Sequence, residues 1–244
     1  MEIVKYSHPS PPVNVALEEV LLERVRAGLR GDVVRIWVNP PSIVIGYSLK
    51  PCEEVRCGEA ARMGVPVVRR VSGGGAVYHD YGNLNVSIIR SSPNMKRLDE
   101  VYGEATSIIV GALKLLGVEA RVENGNDVVV SGYKVSGTAA ALKGGGYLVH
   151  STLLVASNME VLKALIKPRL DRVLRGEVTG SKYNPGNLMD IAGVNLREAL
   201  EALHSALEYA YGPLEESGVS RGEISEALSL APLKLVPLEG ALVE

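Results

Sequence analysis

The order of helical and strand-like segments predicts an α+β fold, with a largely antiparallel or mixed sheet flanked by helices. An amphipathic helix comes first, a series of short strands with one interposed helix follows, and the pattern after residue 157 is helical. Tight turns join several of the strands, which favours antiparallel pairing over a doubly wound parallel sheet. With 244 residues, the chain is long enough to bury a sizeable core.

The first elements are a helix and two strands. Residues 14–27 carry apolar side chains at helical spacing, and Asn14 is the predicted N-cap. Residues 33–38 and 42–47 are rich in β-branched residues and flank an Asn-Pro-Pro sequence, so we expect two strands around a turn.

The next elements lead into a glycine-rich stretch. A short helix is predicted over 53–63 and a strand over 65–70. Residues 76–79 and 84–90 alternate like strands around the sequence Asp-Tyr-Gly-Asn, so we expect them to pair with each other.

The second half begins with a long amphipathic helix over 98–116, which Gly117 ends. Asn195 and Glu198 form a capping box before a helix that Gly212 ends. Four more strands are predicted, at 118–123, 127–130, 133–138 and 147–155.

Composition excludes several classes of function. Apolar residues make up 46% and charged residues 22% of the chain, and the net charge of −2 gives no basic field for nucleic acid. No apolar run approaches the roughly 18 residues that span a bilayer, and no signal-peptide pattern begins the chain. We therefore expect a cytoplasmic protein with no nucleic-acid or membrane partner. The absence of Phe and Gln favours a thermophilic source, although Asn is not depleted.

The two cysteines, Cys52 and Cys57, lie on the helix predicted over 53–63 or just before it. No histidine cluster accompanies them, which argues against a zinc site. We interpret them as buried or half-buried small side chains that need no function.

The stretch RRVSGGGAVYHDYGN, residues 69–83, is the first motif with chemical content. It lacks the Lys-Ser/Thr of a phosphate loop, and a strand rather than a helix follows its glycines. Three glycines can form a strained hairpin, or a bare backbone against which an anionic ligand lies. In the second case Arg69 or Arg70 could hold a phosphate through two parallel hydrogen bonds.

The second motif is GNDVVVSGYKVSGTA, residues 125–139. Lys134 either guards a solvated strand edge or supplies a fixed positive charge beside a bound nucleotide. Asn126 and Asp127 suit a turn, and their oxygens also suit Mg²⁺. His150 is either a core histidine or a substrate contact.

Together the two motifs resemble the lipoate–protein ligase family, which has the biotin and lipoate ligase fold. VHSTLLV at 149–155 also matches, and weaker echoes are NVALEE, VRIWVNPPSIVIGY and TGSKYNPGNL. The likeness covers roughly residues 10–212. It implies that ATP and lipoate give lipoyl-adenylate (lipoyl-AMP) and pyrophosphate, and that a lysine of an acceptor domain then attacks the adenylate.

The resemblance also implies roles for individual residues. Lys134 would be the catalytic group, stabilising negative charge as the adenylate forms. Asp127, with Asn126, would position Mg²⁺ or the ribose-phosphate. The residues implied to bind ATP or lipoyl-AMP are Arg70, Gly74, Gly75, Ala76, Val77, Tyr78, His79, Asn83, Asn126, Asp127, Lys134 and His150.

Two rival functions remain at this point. Octanoyl or lipoyl transferases share the scaffold but need a cysteine nucleophile, and both cysteines here lie outside the pocket motifs. A non-catalytic binder of lipoate or lipoyl-AMP would have no use for the phosphate-handling residues.

The expected domain organisation is a catalytic domain at 1–212, with 213–244 as a helix and tail of the same domain. Bacterial ligases of the family carry an additional small C-terminal domain, so we expect a separate small accessory subunit here. The apolar tail at 230–236 is a candidate contact for it, and the alternative is that this tail packs on its own domain. The acceptors would be lipoyl domains of 2-oxoacid dehydrogenase complexes or the H protein of glycine cleavage.

Overall fold

The computed structural model describes residues 1–168, 173–176 and 181–238. Its helices are α1 (Pro11–Arg26), α2 (Pro51–Glu54), α3 (Cys57–Arg62), α4 (Leu98–Leu115), α5 (Met159–Leu165), α6 (Leu188–Ala192), α7 (Leu196–Tyr211) and α8 (Arg221–Lys234). Its strands are β1 (Glu2–Val4), β2 (Val33–Trp37), β3 (Ser42–Ile45), β4 (Val67–Arg69), β5 (Val77–His79), β6 (Asn83–Ser92), β7 (Arg121–Glu123), β8 (Asp127–Val130), β9 (Tyr133–Lys143), β10 (Gly145–Leu154) and β11 (Glu215–Ser217).

The described strands form two sheets. The larger has eight strands in the order β11-β1-β2-β6-β10-β9-β8-β7, and the smaller has three in the order β4-β3-β5. Neighbouring strands along β2-β6-β10-β9-β8-β7 are all antiparallel. By contrast, β1 pairs in parallel with β2 and with β11, and β3 of the small sheet pairs in parallel with β4. The predicted mixed, largely antiparallel sheet flanked by helices is confirmed.

The large sheet lies between two layers of helices. Successive residues of a strand point to opposite faces. Ile88 therefore packs with α4 and α7, whereas Ile89 packs with α1 and α8. Both side chains are fully buried, which stabilises the fold by about 2 kcal/mol each.

The predicted start of α1 is wrong. The helix begins at Pro11 with Ser10 as the N-cap, because proline suits the first helical turn, where its missing N–H costs nothing. Asn14 is buried inside the helix instead. Its Oδ1 accepts from the backbone N–H of His8 at 2.8 Å, and its Nδ2 donates to Asn39 at 3.0 Å.

The predicted pairing of 76–79 with 84–90 is wrong, and the two strands predicted around Pro40 and Pro41 are present but lie in different sheets. β2 pairs with β6 in the large sheet and β3 pairs with β5 in the small one, so both connections cross between sheets. The first crossing passes through Pro40 and Pro41, which have no N–H for a ladder. At the second, the backbone of Gly82 meets that of Ala156 so closely that a Cβ would lie 2.1 Å from the Ala156 oxygen.

The helix predicted over 53–63 is two helices, α2 and α3. The residues between them form a short bridge, in which Val55 pairs with Ile166 and the N–H of Arg56 donates to the Leu165 carbonyl. This pairing takes the chain out of the helical conformation. By contrast, the predicted helix over 98–116 and the strand at 127–130 are confirmed within one residue.

The C-terminal segment returns to the body of the molecule. β11 extends the large sheet beside β1, and α8 packs on α1 after a Ser220–Glu223 capping box. In the tail predicted as a partner contact, Leu235 bridges to Val68 of the small sheet. Residues 239–244 lie outside the described residues. No helix in the described part of the chain combines the length and the hydropathy that crossing a membrane requires.

Candidate active site

A cavity of about 1100 Å³ lies where the loop between β4 and β5 faces β9 and β10. We call residues 72–76 the glycine loop. Asn83 does not line the cavity; it is fully buried and its amide donates to Asn85, which does. The other predicted site residues all line it: Arg70, Gly74, Gly75, Ala76, Val77, Tyr78, His79, Asn126, Asp127, Lys134 and His150.

Arg70 is buried under the glycine loop and holds it from its carbonyl side. Its Nη2 donates to the carbonyls of Gly73 (2.6 Å) and Gly75 (2.9 Å), and its Nη1 donates to the carbonyl of Val44 (3.0 Å). Burial lowers the pKa of Arg70 to about 10, so the guanidinium stays charged near neutral pH. The observed bonds shape the loop, and the phosphate contact implied for Arg70 stays a prediction.

The glycines are required where backbone meets backbone. Gly74 has a φ of +90°, which other residues rarely adopt. A Cβ on Gly46 would lie 2.1 Å from the Gly74 oxygen, so the end of β3 and the glycine loop are in direct backbone contact. The loop therefore presents a fixed backbone surface to the cavity.

A chain of buried polar groups connects helix α1 to the glycine loop. The Glu18 carboxylate accepts from the Ser87 hydroxyl at 2.5 Å, and His150 Nδ1 lies 3.0 Å from it. Burial opposes ionisation of Glu18, but His150, Ser87 and Arg35 outweigh it and lower the pKa of that carboxyl. Because a carboxylate only accepts, Nδ1 donates to it, and Nε2 of His150 meets Ser72 Oγ at 2.7 Å.

An aromatic corner lies beside this chain of groups. His79 meets the Trp37 ring edge-on with 6.0 Å between centroids, and the Arg35 guanidinium stacks over Trp37 at 4.4 Å. Burial and then the charge of Arg70 lower the pKa of His79 to about 3, so His79 is neutral. Its Nε2 is buried without a hydrogen-bond partner in the described structure, which leaves it available to a ligand in the cavity.

Lys134 and Asp127 form an ion pair that also lines the cavity. Nζ of Lys134 lies 2.5 Å from Oδ1 of Asp127, and the carboxylate is buried whereas the lysine side chain is 29% exposed. Gly137 makes room for this pair, because a Cβ there would lie 3.0 Å from both Cε and Nζ of the lysine. The Lys-Val-Ser-Gly spacing therefore lets the ammonium fold back over its own strand.

The backbone around Lys134 is irregular in a way that aims the side chain. The register between β8 and β9 shifts at Val128 and Val129, which is a β-bulge. The Lys134 N–H donates to the Asn184 carbonyl at 2.9 Å, and its carbonyl accepts from Gly186 at 3.0 Å. Asn126 closes the hairpin, since its Nδ2 donates to the Thr138 carbonyl at 3.1 Å.

No group of three or more His, Cys, Asp or Glu side chains with metal-binding geometry occurs among the described residues. Three carboxylates line the cavity, those of Glu18, Glu54 and Asp127. Each of the three has a partner on one oxygen: His150 for Glu18, the Ala76 N–H for Glu54, and Lys134 for Asp127. A cation here would need further ligands from its own substrate or from water.

The two cysteines are joined to each other, which the sequence interpretation missed. The disulfide between Cys52 and Cys57 spans a Cα–Cα distance of 5.5 Å. These are the two cysteines of the chain, so this structure holds no free thiol for a thioester intermediate.

Several residues of the cavity were not predicted as site residues. Glu18 and Trp37 lie in NVALEE and VRIWVNPP, where they read as part of an amphipathic helix and a strand. The sequence signal that could have found them is that both side chains carry polar atoms within segments predicted to pack on the core. Glu54 and Ser136 also line the cavity, and the Ser136 hydroxyl is buried without a partner in the described structure.

The fold and the cavity place the chain in the structural class of lipoate ligases. A structure described as a bipartite lipoate protein ligase and its E2 lipoyl domain from Thermoplasma acidophilum superposes with a TM-score of 0.82, at 26% identity, over 95% of this chain and 91% of that one. A Thermoplasma acidophilum protein with bound lipoic acid matches at TM-score 0.82 and 25% identity, over 95% of both chains. A lipoate-protein ligase A bound with ATP matches at 0.82 and 26%, over 95% of this chain and 94% of that one.

The chain belongs to the lipoyl protein ligase A/B catalytic domain family, whose model matches residues 10–208. An Aeropyrum pernix protein named for lipoate-protein ligase A is 45% identical over 93% of this chain and 84% of its own length. Lipoate-protein ligase LplJ of Bacillus subtilis is 36% identical over 67% of this chain, which spans 48% of that protein. Lipoate-protein ligase A subunit 1 of Thermoplasma acidophilum is 29% identical over 78% of this chain and 76% of its own length.

Proposed function

We propose that this chain is the catalytic part of an ATP-dependent lipoate–protein ligase. In the first step a carboxylate oxygen of lipoate attacks the α-phosphorus of ATP, and pyrophosphate leaves. In the second, the amine of an acceptor lysine attacks the carbonyl carbon of lipoyl-AMP, the new amide forms, and AMP leaves. The observation that carries the proposal is that the glycine loop and Lys134 line one and the same cavity.

We assign the two substrates to two parts of the cavity that differ in polarity. Ala139 lies opposite His150 in the sheet, and Lys134 is five residues away along the same strand, about 16 Å. The aromatic corner with Trp37 and His79 suits the acyl chain, whereas the Lys134 wall suits the nucleotide. Backbone groups of 74–78 would form the surface between the two.

Lys134 would act as an electrostatic catalyst. Its ammonium, held beside Asp127, can shift to the negative oxygens of the α-phosphate and of the carboxylate as the adenylate forms. Neither step needs a covalent enzyme intermediate, which agrees with the absence of a free thiol.

Mg²⁺ belongs to the proposal through the phosphates of ATP. It usually keeps several waters and takes one or two carboxylates together with substrate phosphates, so the single carboxylate of Asp127 would fit this ion once Lys134 has shifted from it to the phosphate. Asn126 and Asp127 would hold it, and the ion would neutralise phosphate charge.

The partners are inferred from the relatives. One is named as a subunit and one structure is described as bipartite with an E2 lipoyl domain, which supports a separate accessory subunit and a lipoyl acceptor domain for this chain. We extend the acceptors to lipoyl domains of 2-oxoacid dehydrogenase complexes and the glycine cleavage H protein, and place the reaction in the cytoplasm. Residues 1–212 would form the catalytic domain, with 213–244 as part of it.

The test is lipoylation of a purified lipoyl domain by the full chain with ATP, Mg²⁺ and lipoate, with and without the accessory protein. We expect a mass increase on one acceptor lysine that depends on ATP, and a stronger signal with the accessory protein. Transfer from octanoylated carrier protein without ATP would favour the transferase instead. Lipoate binding with no lipoyl-AMP under any of these conditions would favour the non-catalytic binder.

A further inference from the structure

Glu54 lies outside the sequence motifs, yet its carboxylate reaches the glycine loop. Oε2 of Glu54 accepts a 2.7 Å hydrogen bond from the backbone N–H of Ala76. The residue is 5% exposed and lines the cavity. A hydrogen bond to an ionised carboxylate is shorter and stronger than one between neutral groups.

The segment that carries Glu54, the end of α2, is restrained on two sides. The disulfide between Cys52 and Cys57 closes a small loop around it. On the other side the Glu54 carbonyl accepts from the backbone N–H of Lys167 at 2.7 Å, and Nζ of Lys167 donates to the Cys52 carbonyl at 2.7 Å. The carboxylate is therefore presented from a braced segment to a loop that lacks regular strand pairing.

We propose that Glu54 is a positioning residue: its carboxylate fixes the glycine loop in the conformation that receives the nucleotide, and the Cys52–Cys57 disulfide keeps Glu54 in reach of it. The inference rests on the proposed ligase function. Arg70 holds carbonyls of the same loop, whereas Glu54 holds the N–H of Ala76, so the two side chains restrain opposite polar groups of one backbone segment. The charge of Glu54 also acts on the Arg70 guanidinium.

The expected effect is on nucleotide affinity more than on turnover. Glu54 contacts the loop and not the reacting atoms, so its loss should raise the KM and the Kd for ATP while leaving kcat nearly unchanged. One hydrogen bond to a charged group is worth about tenfold or more in an equilibrium constant. Glutamine keeps a side-chain oxygen that can accept from Ala76, so Glu54→Gln should recover most of the affinity.

The disulfide offers an independent way to loosen the same contact. A dithiol reductant gives two electrons and two protons, the S–S bond breaks, two thiols form, and the reductant becomes a disulfide itself. Cys52 is an exposed residue, so we expect a small dithiol to reach the bond. Reduction should weaken ATP binding in the wild type and add nothing in Glu54→Ala, because the two changes act on one contact.

The experiment is a titration of the full chain with a non-hydrolysable ATP analogue, with and without dithiothreitol, alongside thermal unfolding. The variants are Glu54→Ala, Glu54→Gln and Cys52→Ser/Cys57→Ser, with Glu53→Ala as the matched control on the exposed side of α2. We expect about tenfold weaker binding for Glu54→Ala and for the serine pair, near-normal binding for Glu54→Gln, and no change for Glu53→Ala.

Wild-type affinity in both Glu54→Ala and the serine pair would overturn the inference, as would an equal dithiothreitol effect on the wild type and the serine pair. If Glu54→Ala does not fold, analogue binding by Cys52→Ser/Cys57→Ser and by the wild type with and without dithiothreitol decides whether the inference stands. Glu54-dependent binding of the analogue without lipoyl-AMP synthesis would support the inference and count against the proposed function alone.

Discussion

The two walls of the cavity are held in different ways. On the glycine-loop wall, Arg70 is 6% exposed and donates to backbone carbonyls and to the Ser72 hydroxyl. On the wall that carries Lys134, its side chain is 29% exposed and forms an ion pair with Asp127. One cation is enclosed by the fold, and the other stands at the edge of the cavity.

This difference indicates that Arg70 maintains the shape of the cavity, whereas Lys134 takes part in the reaction. A buried guanidinium cannot leave its acceptors without leaving them unpaired, which costs about 1–3 kcal/mol for each one. A part-exposed ammonium can exchange a carboxylate for a phosphate at much smaller cost. Changes at Arg70 should therefore appear first in stability, and changes at Lys134 in rate.

The largest effect should follow removal of the movable charge. Lys134→Ala should slow lipoyl-AMP formation by about 100- to 1,000-fold, since the positive charge that stabilises the reacting atoms is lost. Pyrophosphate release with saturating ATP and lipoate measures it. Lys143→Ala is the control, because Lys143 ends the same strand and pairs with Glu23 on the surface. A rate within about threefold of wild type for Lys134→Ala would remove its assigned role.

Loss of the enclosed cation should act on folding. Arg70→Met should lower the free energy of unfolding by about 3 kcal/mol, because carbonyls of the glycine loop lose their donors. Arg62→Met should change it by less than about 0.5 kcal/mol, since Arg62 forms an exposed pair with Glu59. Urea unfolding compares the two. Equal stability of both variants would show that the glycine loop does not depend on Arg70.

His79 should give a smaller, pH-dependent effect. Its pKa falls from 6.5 to about 3 on folding, so below pH 6.5 the unfolded chain binds a proton that the folded chain does not. Stability is therefore lost as pH falls, by about 2 kcal/mol near pH 5. His79→Gln should flatten the profile of unfolding free energy between about pH 6.5 and 4.

The control for this profile is His204→Gln, since His204 is a partly exposed residue of α7. It should keep the slope of the wild type. The stability that is lost at acid pH when Glu18 is protonated is common to the wild type, His79→Gln and His204→Gln, so it does not affect the comparison. Parallel profiles for wild type and His79→Gln would contradict the buried neutral histidine.

Local signals in the sequence predicted much of this structure. The periodicity of 98–116 and its glycine stop predicted α4, and the glycine and lysine motifs predicted residues that meet in one cavity. These signals are short-range, because helix caps, breakers and motif spacing act over a few residues.

Pairing between distant segments could not be predicted in the same way. β2 finds its partner β6 about 50 residues later and skips the adjacent β3, because burial on both faces of the large sheet decides the register. Glu18 lies on a helix whose other signals are apolar, so its role depends on His150 far along the chain. The Cys52–Cys57 bond was missed because the sequence predicted one continuous helix there, whereas two short helices meet.

The most direct test of the account is exchange of labelled pyrophosphate into ATP by the wild-type chain, supplied with its accessory protein and without an acceptor. The exchange requires reversible formation of an acyl-adenylate in the cavity, so it isolates the first step. We predict exchange that appears only when lipoate is present. No exchange with lipoate, or equal exchange without it, would contradict the assignment of this cavity to lipoate activation.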